Sequence, residues 1–565
     1  MNVNSIKKTL AGADPTGDHP HSQIHVSSPD AFLKVYAYTD QDTTRASATD
    51  NVQVFTIYND ILSIDTSKNK QSAGSWNVTL APGQAYNTMV HPGDWITIHV
   101  SDEKLDPEKD ALKSIKLIGI VKTVRRVESA NPETGIRNIR YIIAGEDFAS
   151  CLNIPLYINS ELAGTSMGTG ELALVSLLHG SDPNANNRVD GPAGLANQFL
   201  NLVFNGGPNK DAPAVIGFQF RVPKELIKDT KGTFLGPKGG SGFLNLAARD
   251  FQKNLIGKSA VHPDLGGTIT VLSLLQTYSN TILNEFFADI FPDGKSSANP
   301  TLVLRSLPFS RLSKNPQSLS ITKGDKDNKG GDKPGPQSGD HKLYVSRNIS
   351  ESEIIQLNFG KSDAERFNFF LAVPNAVTPE VGKNSYVSMI QNTKGGLKGL
   401  SDMKSLIRYG IRPYIASSIF LLERQDAFKE FNYMVRDMWS RAALYDNGVV
   451  ELVGASQHIP VGTNIKFTER KWIAHVEAVT NNYKVDPSTG LKTFKTTVAF
   501  VRLQDLAGDP LFLRKGEAQT EHDPGITTGS GALEEDKLYF DKVDVKIPGS
   551  GIPGLDDDYD GPVVS

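Results

Sequence analysis

The sequence predicts an α+β chain that is mainly β: two similar small antiparallel barrels, a helical and loop-rich region between them, and extended ends. Three observations carry this. Short alternating runs rich in Val, Ile, Thr, Tyr and Trp fill residues 51–148. A second set, at 459–505, repeats the pattern of the first. Between the two sets the chain turns to glycine- and proline-punctuated segments with helical spacing.

In chain order, residues 1–30 are polar and read as a flexible arm; His19, His21 and His25 lie in it without a carboxylate or cysteine at metal-ligand spacing. The first barrel is expected over 31–160. Its strands are NVQVFTIYNDILSIDT, SWNVTL, GDWITIHV, IKLIGIVKTVRRV and IRNIRYIIAGEDF, separated by the turns APGQ, HPGD and NPETG. Trp76, Val78 and Leu80 alternate onto one face, as do Ile96, Ile98 and Val100. Residues 161–297 read as the helical, loop-rich domain. There, Val271, Leu274, Leu275, Tyr278, Ile282 and Phe286 form a stripe at helical spacing. The second barrel is expected over 298–506, interrupted by a polar loop at 320–340. It also carries a helical stripe of Phe428, Phe431, Val435, Met438 and Ala442. Residues 507–565 read as an extended acidic tail that orders against a partner.

The repeat is specific. VKTVRRVESANPETGIRNIRYIIAGED (121–147) and VEAVTNNYKVDPSTGLKTFKTTVAFVRLQD (476–505) both begin V-x-x-V and both reach a P-x-T-G turn, at Pro132–Gly135 and Pro487–Gly490. Upstream, VHPGDWITIHV resembles IPVGTNIKFTE, a glycine turn followed by a strand. One β unit is therefore expected twice in the chain.

Composition sets limits. Hydrophobic residues are 39% and charged residues 22% of 565, enough to bury sizeable cores. The net charge of −4 gives no whole-chain reason to expect nucleic acid. The single cysteine, Cys151, excludes a disulfide framework and reads as a small buried residue. No apolar run approaches membrane-spanning length, and the N-terminal stretch has no secretory apolar core, so synthesis in a reducing cytoplasm is expected.

The order of motifs resembles the baseplate hub proteins of contractile-tailed bacteriophages. The matching features are PGDWITI and GEDF in the first half, then Asn284, Glu285 and Asp289 at the end of a helix and along an acidic strand. Pro300 to Phe309, RYGIRPY (408–414) and the closing hairpin ending VRLQD follow. The resemblance spans about residues 50–320 and 341–506. It implies tail-tube-like barrels and a homotrimeric ring of pseudo-sixfold barrels. Such a ring would join the sixfold tail tube to the threefold central spike and line the delivery channel. It also implies contact with tube and spike proteins, with room for wedge and tape-measure proteins. The particle would assemble in the host cytoplasm and the chain would reside in the virion. Neither specific nucleic-acid binding nor stable membrane insertion is implied. Arg305, at the entry to the second half, would then pair with Asp289 or Asp293 to fix geometry.

No catalytic, cofactor-binding or metal-ligating residue is assigned, and the chain is expected not to be an enzyme. GTSMG (164–168) matches the nucleophile-elbow pattern around Ser166, but no parallel βαβ series surrounds it. Ser166 supports the rival expectation of a tail-associated cell-envelope hydrolase. A third reading is the equivalent hub of a contractile bacteriocin or injection machine. GKS at 257–259 has Gln252 where a phosphate loop needs glycine. Asp556, Asp558, Asp560 and Gly561 begin like a calcium loop, but its twelfth ligand would fall past residue 565.

Overall fold

A computed structural model describes residues 28–38, 52–130, 137–153, 155–158, 223, 225–226, 245–248, 267–279, 284–292, 298–307, 345–374, 403–419, 435, 439–506 and 510–512. The first half contains β1 (Asp30–Tyr38), β2 (Val52–Ile57), β3 (Ile61–Asn69), β4 (Ser75–Leu80), β5 (Trp95–Ser101), β6 (Ile115–Ala130) and β7 (Arg137–Asp147). The middle adds β8 (Pro155–Ile158), β9 (Asn245–Ala248), β10 (Gly267–Thr270), β11 (Asn284–Pro292) and β12 (Ala298–Ser306). The second half contains β13 (Val345–Ile349), β14 (Ile354–Gly360), β15 (Phe369–Pro374), β16 (Pro413–Ile419), β17 (Asp446–Leu452), β18 (Asn464–Phe467), β19 (Trp472–Val485) and β20 (Lys492–Asp505).

The chain is mainly β, as the alternating runs predict. The expected β unit is present in both halves, and among the described residues neither is seen to close on itself as a barrel. They are fused into one 13-stranded sheet, antiparallel except where β13 meets β18. Its order is β14-β17-β20-β19-β3-β4-β7-β6-β5-β1-β2, with β18 on β19 and β13 on β18. The join lies at β3, whose outer edge is taken by β19 over Ser63–Asn69.

The internal repeat is visible in the register. Across β3-β4-β7-β6, one rung reads Ile64, Val78, Ile143, Val124. Across β14-β17-β20-β19, the matching rung reads Leu357, Val450, Val498, Val479. Both long hairpins carry a bulge at the same place, between Val121 and Thr123 and between Val476 and Ala478. The glycine turns match as well. Gly93 N–H donates to Val121 O at 2.8 Å and Gly462 N–H to Val476 O at 2.8 Å, both glycines having positive φ. At Gly462 a side chain is excluded twice over: φ is +72°, and an added Cβ would lie 2.2 Å from the Phe287 ring.

Each half has its own core. In the first, Trp76, Val78 and Leu80 point inward as their alternation predicts, while β5 is buried along its whole length: Ile96, Ile98 and Val100 join the core, and His99 on the other face stacks on Phe32 and meets Ser114. The second core gathers Val450, Ile465, Phe467, Val476 and Phe500, with Phe287, Phe291 and Val303 from β11 and β12. The helix predicted through Phe286 is shorter. It spans Val271–Ser279, and Asn284 and Glu285 open strand β11 rather than ending a helix. Phe286 is buried on that strand. The NEFFADIFP segment, buried from Glu285 to Phe291, gains a full antiparallel partner in β12, which a lengthened helix could not provide. Of the second helical stripe, Val435 and Ala442 are described and buried; Phe428, Phe431 and Met438 lie outside the described residues. Among the described residues no helix is long and apolar enough to cross a membrane.

Candidate functional site: the seam between the two halves

The place where the halves meet concentrates the buried charge of the described residues. It is built on the β19–β3 pairing, Ala478↔Asn69 to Lys484↔Ser63. Asn481 donates to Thr66 Oγ1 at 3.2 Å, and Asn482 donates to the Asp65 carboxylate beside it. These side-chain bonds repeat the backbone register, so a slip of one residue would break both sets.

Three ionic or polar clamps flank this pairing. Lys70, just past β3, holds Glu477 of β19 at 2.5 Å and Glu285 of β11 at 3.0 Å. Burial pulls the Lys70 ammonium down, but the two carboxylates outweigh it and its pKa is raised. Burial raises Glu477, against the opposing pull of Lys70. His475 bridges the same cluster, 3.4 Å from Lys70 Nζ and 3.1 Å from Asn464 Oδ1.

The second clamp is Lys116 on β6. Its Nζ donates to the carbonyls of Ala455 and Ser456, the latter at 2.7 Å, and lies 5.8 Å from the Phe494 ring centre. Burial, joined by the nearby Arg347 cation, holds its pKa well below the lysine range. Ser456 Oγ in turn donates to Asp102 of the first half. Lys116 therefore serves as a donor to two carbonyls of the other half, a role a neutral amine also fills.

The third clamp is Asp30 on β1. It accepts from Lys492 of β20 at 2.7 Å, from Leu105 N–H at 3.2 Å and from Tyr58. Burial pushes this carboxyl up, but the bonds from Lys492, Tyr58 and Leu105 outweigh it and its pKa is lowered. Tyr58 is pushed up to about 12 by burial and by Asp30. Between the clamps, Tyr483 and Phe494 from the second hairpin insert into the first core. Each is nearly fully buried, at 2% and 3% exposure.

Two further buried groups fix neighbouring parts. Lys68 pairs with Asp147, which also caps the turn Phe148–Leu152 through Ala149 N–H at 3.0 Å. Asp289 on β11 accepts from His458 Nε2 at 2.8 Å and from Val461 N–H at 2.7 Å. Burial works against its charge, but His458 and Lys68 prevail and its pKa is lowered. Both Asp289 oxygens are thus engaged by the second half, whereas the pairing expected between Arg305 and Asp289 or Asp293 rests on side chains outside the described residues. The register sets Arg305 opposite Glu285 and Asp289 opposite Thr301. The Arg305 side chain and Asp293 lie outside the described residues.

Cys151 is buried, and burial pushes its thiol up to about 12, as suits a small core residue and not a nucleophile. Ser166, His19, His21, His25, the 257–259 segment, the 320–340 loop and Asp556–Gly561 lie outside the described residues. Among the described residues no group of three or more His, Cys, Asp or Glu is placed to hold a metal. The seam itself was not foreseen from the sequence. Its one local signal is chemical: Lys68, Lys70, Lys116 and His475 interrupt or flank runs that otherwise alternate as buried strand.

No family model matches the sequence, and no curated protein matches it. Among solved structures, the chain is similar to a 43 kDa tail protein of a Shewanella oneidensis prophage. The identity is 10% and the TM-score 0.36, with 85% of this chain and 99% of that one covered. It is also similar to a prophage tail protein from Listeria monocytogenes, at 9% identity and TM-score 0.31, covering 83% and 94%. A third is an E. coli component of the type VI secretion system, at 7% identity and TM-score 0.33, covering 79% and 74%.

Proposed function

We propose that this chain is a structural protein of a contractile phage tail, the baseplate hub. In this reading three copies form a ring that joins the sixfold tube to the threefold spike and lines the delivery channel. One observation carries it: each chain holds the same sheet module twice, in the same register, joined edge to edge. A ring of three such chains presents six near-equivalent modules on one side while remaining threefold overall, which is what a sixfold-to-threefold adaptor requires. The buried clamps suit this role, because paired charges fix relative geometry even where they add little stability. The order of sequence motifs supports the same assignment. The protein works by shape and carries no active site in this reading. Its neighbours are a tube protein on one face and a spike on the other.

The test is light scattering and electron imaging of the purified chain, alone and with its spike partner. A threefold ring with six-lobed density on one face is the expected result. A chain that stays monomeric at micromolar concentration with the spike present overturns it. Ser166→Ala separates the hydrolase reading: turnover of peptidoglycan or ester substrates that this variant abolishes would replace the structural role.

A further inference from the structure

The seam uses two edges, and each has a counterpart that is open among the described residues. Inside the chain, the far half of β19 pairs with β3. By the repeat, β6 corresponds to β19 and β14 to β3. The far half of β6, from Thr123 to Ala130, is paired with β7 on one side only, since β5 reaches no further than Ile120. β14 ends the sheet order and is paired with β17 on one side only. These two edges stand at opposite ends of the path β14-β17-β20-β19-β3-β4-β7-β6 and are not paired with each other in the chain.

We infer that the far half of β6 in one copy pairs antiparallel with β14 of the next, in the register that the seam already uses. This deepens the hub reading and rests on it. Carrying the seam register through the repeat sets Arg125 opposite Gly360, Arg126 opposite Phe359, Val127 opposite Asn358, Glu128 opposite Leu357 and Ser129 opposite Gln356. Residues paired in this way share a face of the sheet. The faces agree: Leu357 and Phe359 pack against the second core, and Val124, on the Arg126 face of β6, packs against the first. Arg126 would lie over the Phe359 ring, and Arg126 and Glu128 are already a pair at 2.7 Å. The joint would cover Val127, which is 42% exposed, and satisfy two rows of edge amides and carbonyls. A second copy is the occupant because the molecule already makes this joint once, between its own halves.

The experiment is a cysteine pair, Val127→Cys with Asn358→Cys, oxidised in the full chain. Its internal counterpart, Asp65→Cys with Asn482→Cys, should close within one chain without a change in mass. The expected result is a ladder ending at trimer, with most of the monomer band lost, and no ladder from either single variant. In parallel, amide exchange on the wild-type chain should slow at least tenfold at 123–129 and 356–361 when the oligomer forms. A wild-type oligomer whose amides show no such protection, or whose cysteine pair closes only within one chain, overturns the pairing and leaves the ring standing. A chain that is monomeric at every concentration, with or without the spike, overturns both.

Discussion

The two long hairpins have the same bulge and the same register, yet one is buried at its far end and the other is not. In β19–β20 the far end carries Tyr483 opposite Phe494, both inside the first core. The corresponding positions in β6–β7 are Glu128 opposite Ile139. Glu128 is exposed, with 43% of its side chain accessible, and Ile139 is only partly buried. The backbone is thus the conserved part and the occupant of its outer edge the variable part. Where the neighbour is part of the same chain, the positions hold large aromatics suited to a permanent core. Where no neighbour is present among the described residues, they hold a charge and a smaller aliphatic residue that water tolerates.

The strongest way to break this comparison is to remove the same rung from both hairpins. Phe494→Ala should cost ~3–5 kcal/mol by denaturant titration, as for a buried aromatic, whereas Ile139→Ala should cost ~1 kcal/mol or less in the monomer. Similar losses at the two sites would show that the hairpins are not differently covered. Lys70→Ala comes close behind. It leaves Glu285 and Glu477 facing each other without their cation, and ~3 kcal/mol is expected, partly recovered by adding Glu477→Gln. Full additivity of the two changes would mean the cluster is not coupled.

A smaller effect tests the matched turns. Gly462→Ala meets both a positive φ and the Phe287 ring, and should lower stability by ~1–3 kcal/mol. Gly93 has φ +99° but no atom within 4 Å of an added Cβ, so Gly93→Ala should lose only the backbone part. The smallest effect is the pH response of the third clamp. Asp30 has a lowered pKa in the folded state, so its contribution is present above its unfolded pKa and is lost as pH falls through the folded value. Stability should therefore decline below about pH 4, and Lys492→Gln should flatten that decline by under ~1 kcal/mol, since Lys492 is partly exposed. An unchanged acid slope in the variant would remove Lys492 from the seam's account.

The hairpins were legible in the sequence because their signals are local. Alternation fixes which side chains face inward, and P-x-T-G fixes where the chain turns. At the second turn the structure has Gly490 at positive φ, donating to Asp486 O at 2.7 Å. The seam was not legible. Nothing near Ile61–Asn69 states that its edge belongs to residues beyond 470, because edge pairing satisfies backbone groups that every sequence carries. The partners of Asp289 were hidden for the same reason: His458 and Val461 are 169 and 172 positions away. Phe286 was misplaced because NEFFADIFP fits a helical stripe and a strand about equally until β12 is there to pair with it.

Tyr483 and Phe494 also set a timetable. The first core closes only on residues that the ribosome delivers more than 300 positions after the last first-half strand, β7, has been made. At ~5–20 residues per second, the N-terminal module waits roughly 20–70 seconds with its β3 edge and part of its apolar interior uncovered. A nascent chain in that state is a substrate for holding chaperones. It is also a hazard to sister chains on the same message, whose identical open edges emerge beside it. Synthesis order thus makes emergence of the second long hairpin, not local collapse of the first half, the step that commits this molecule to its fold.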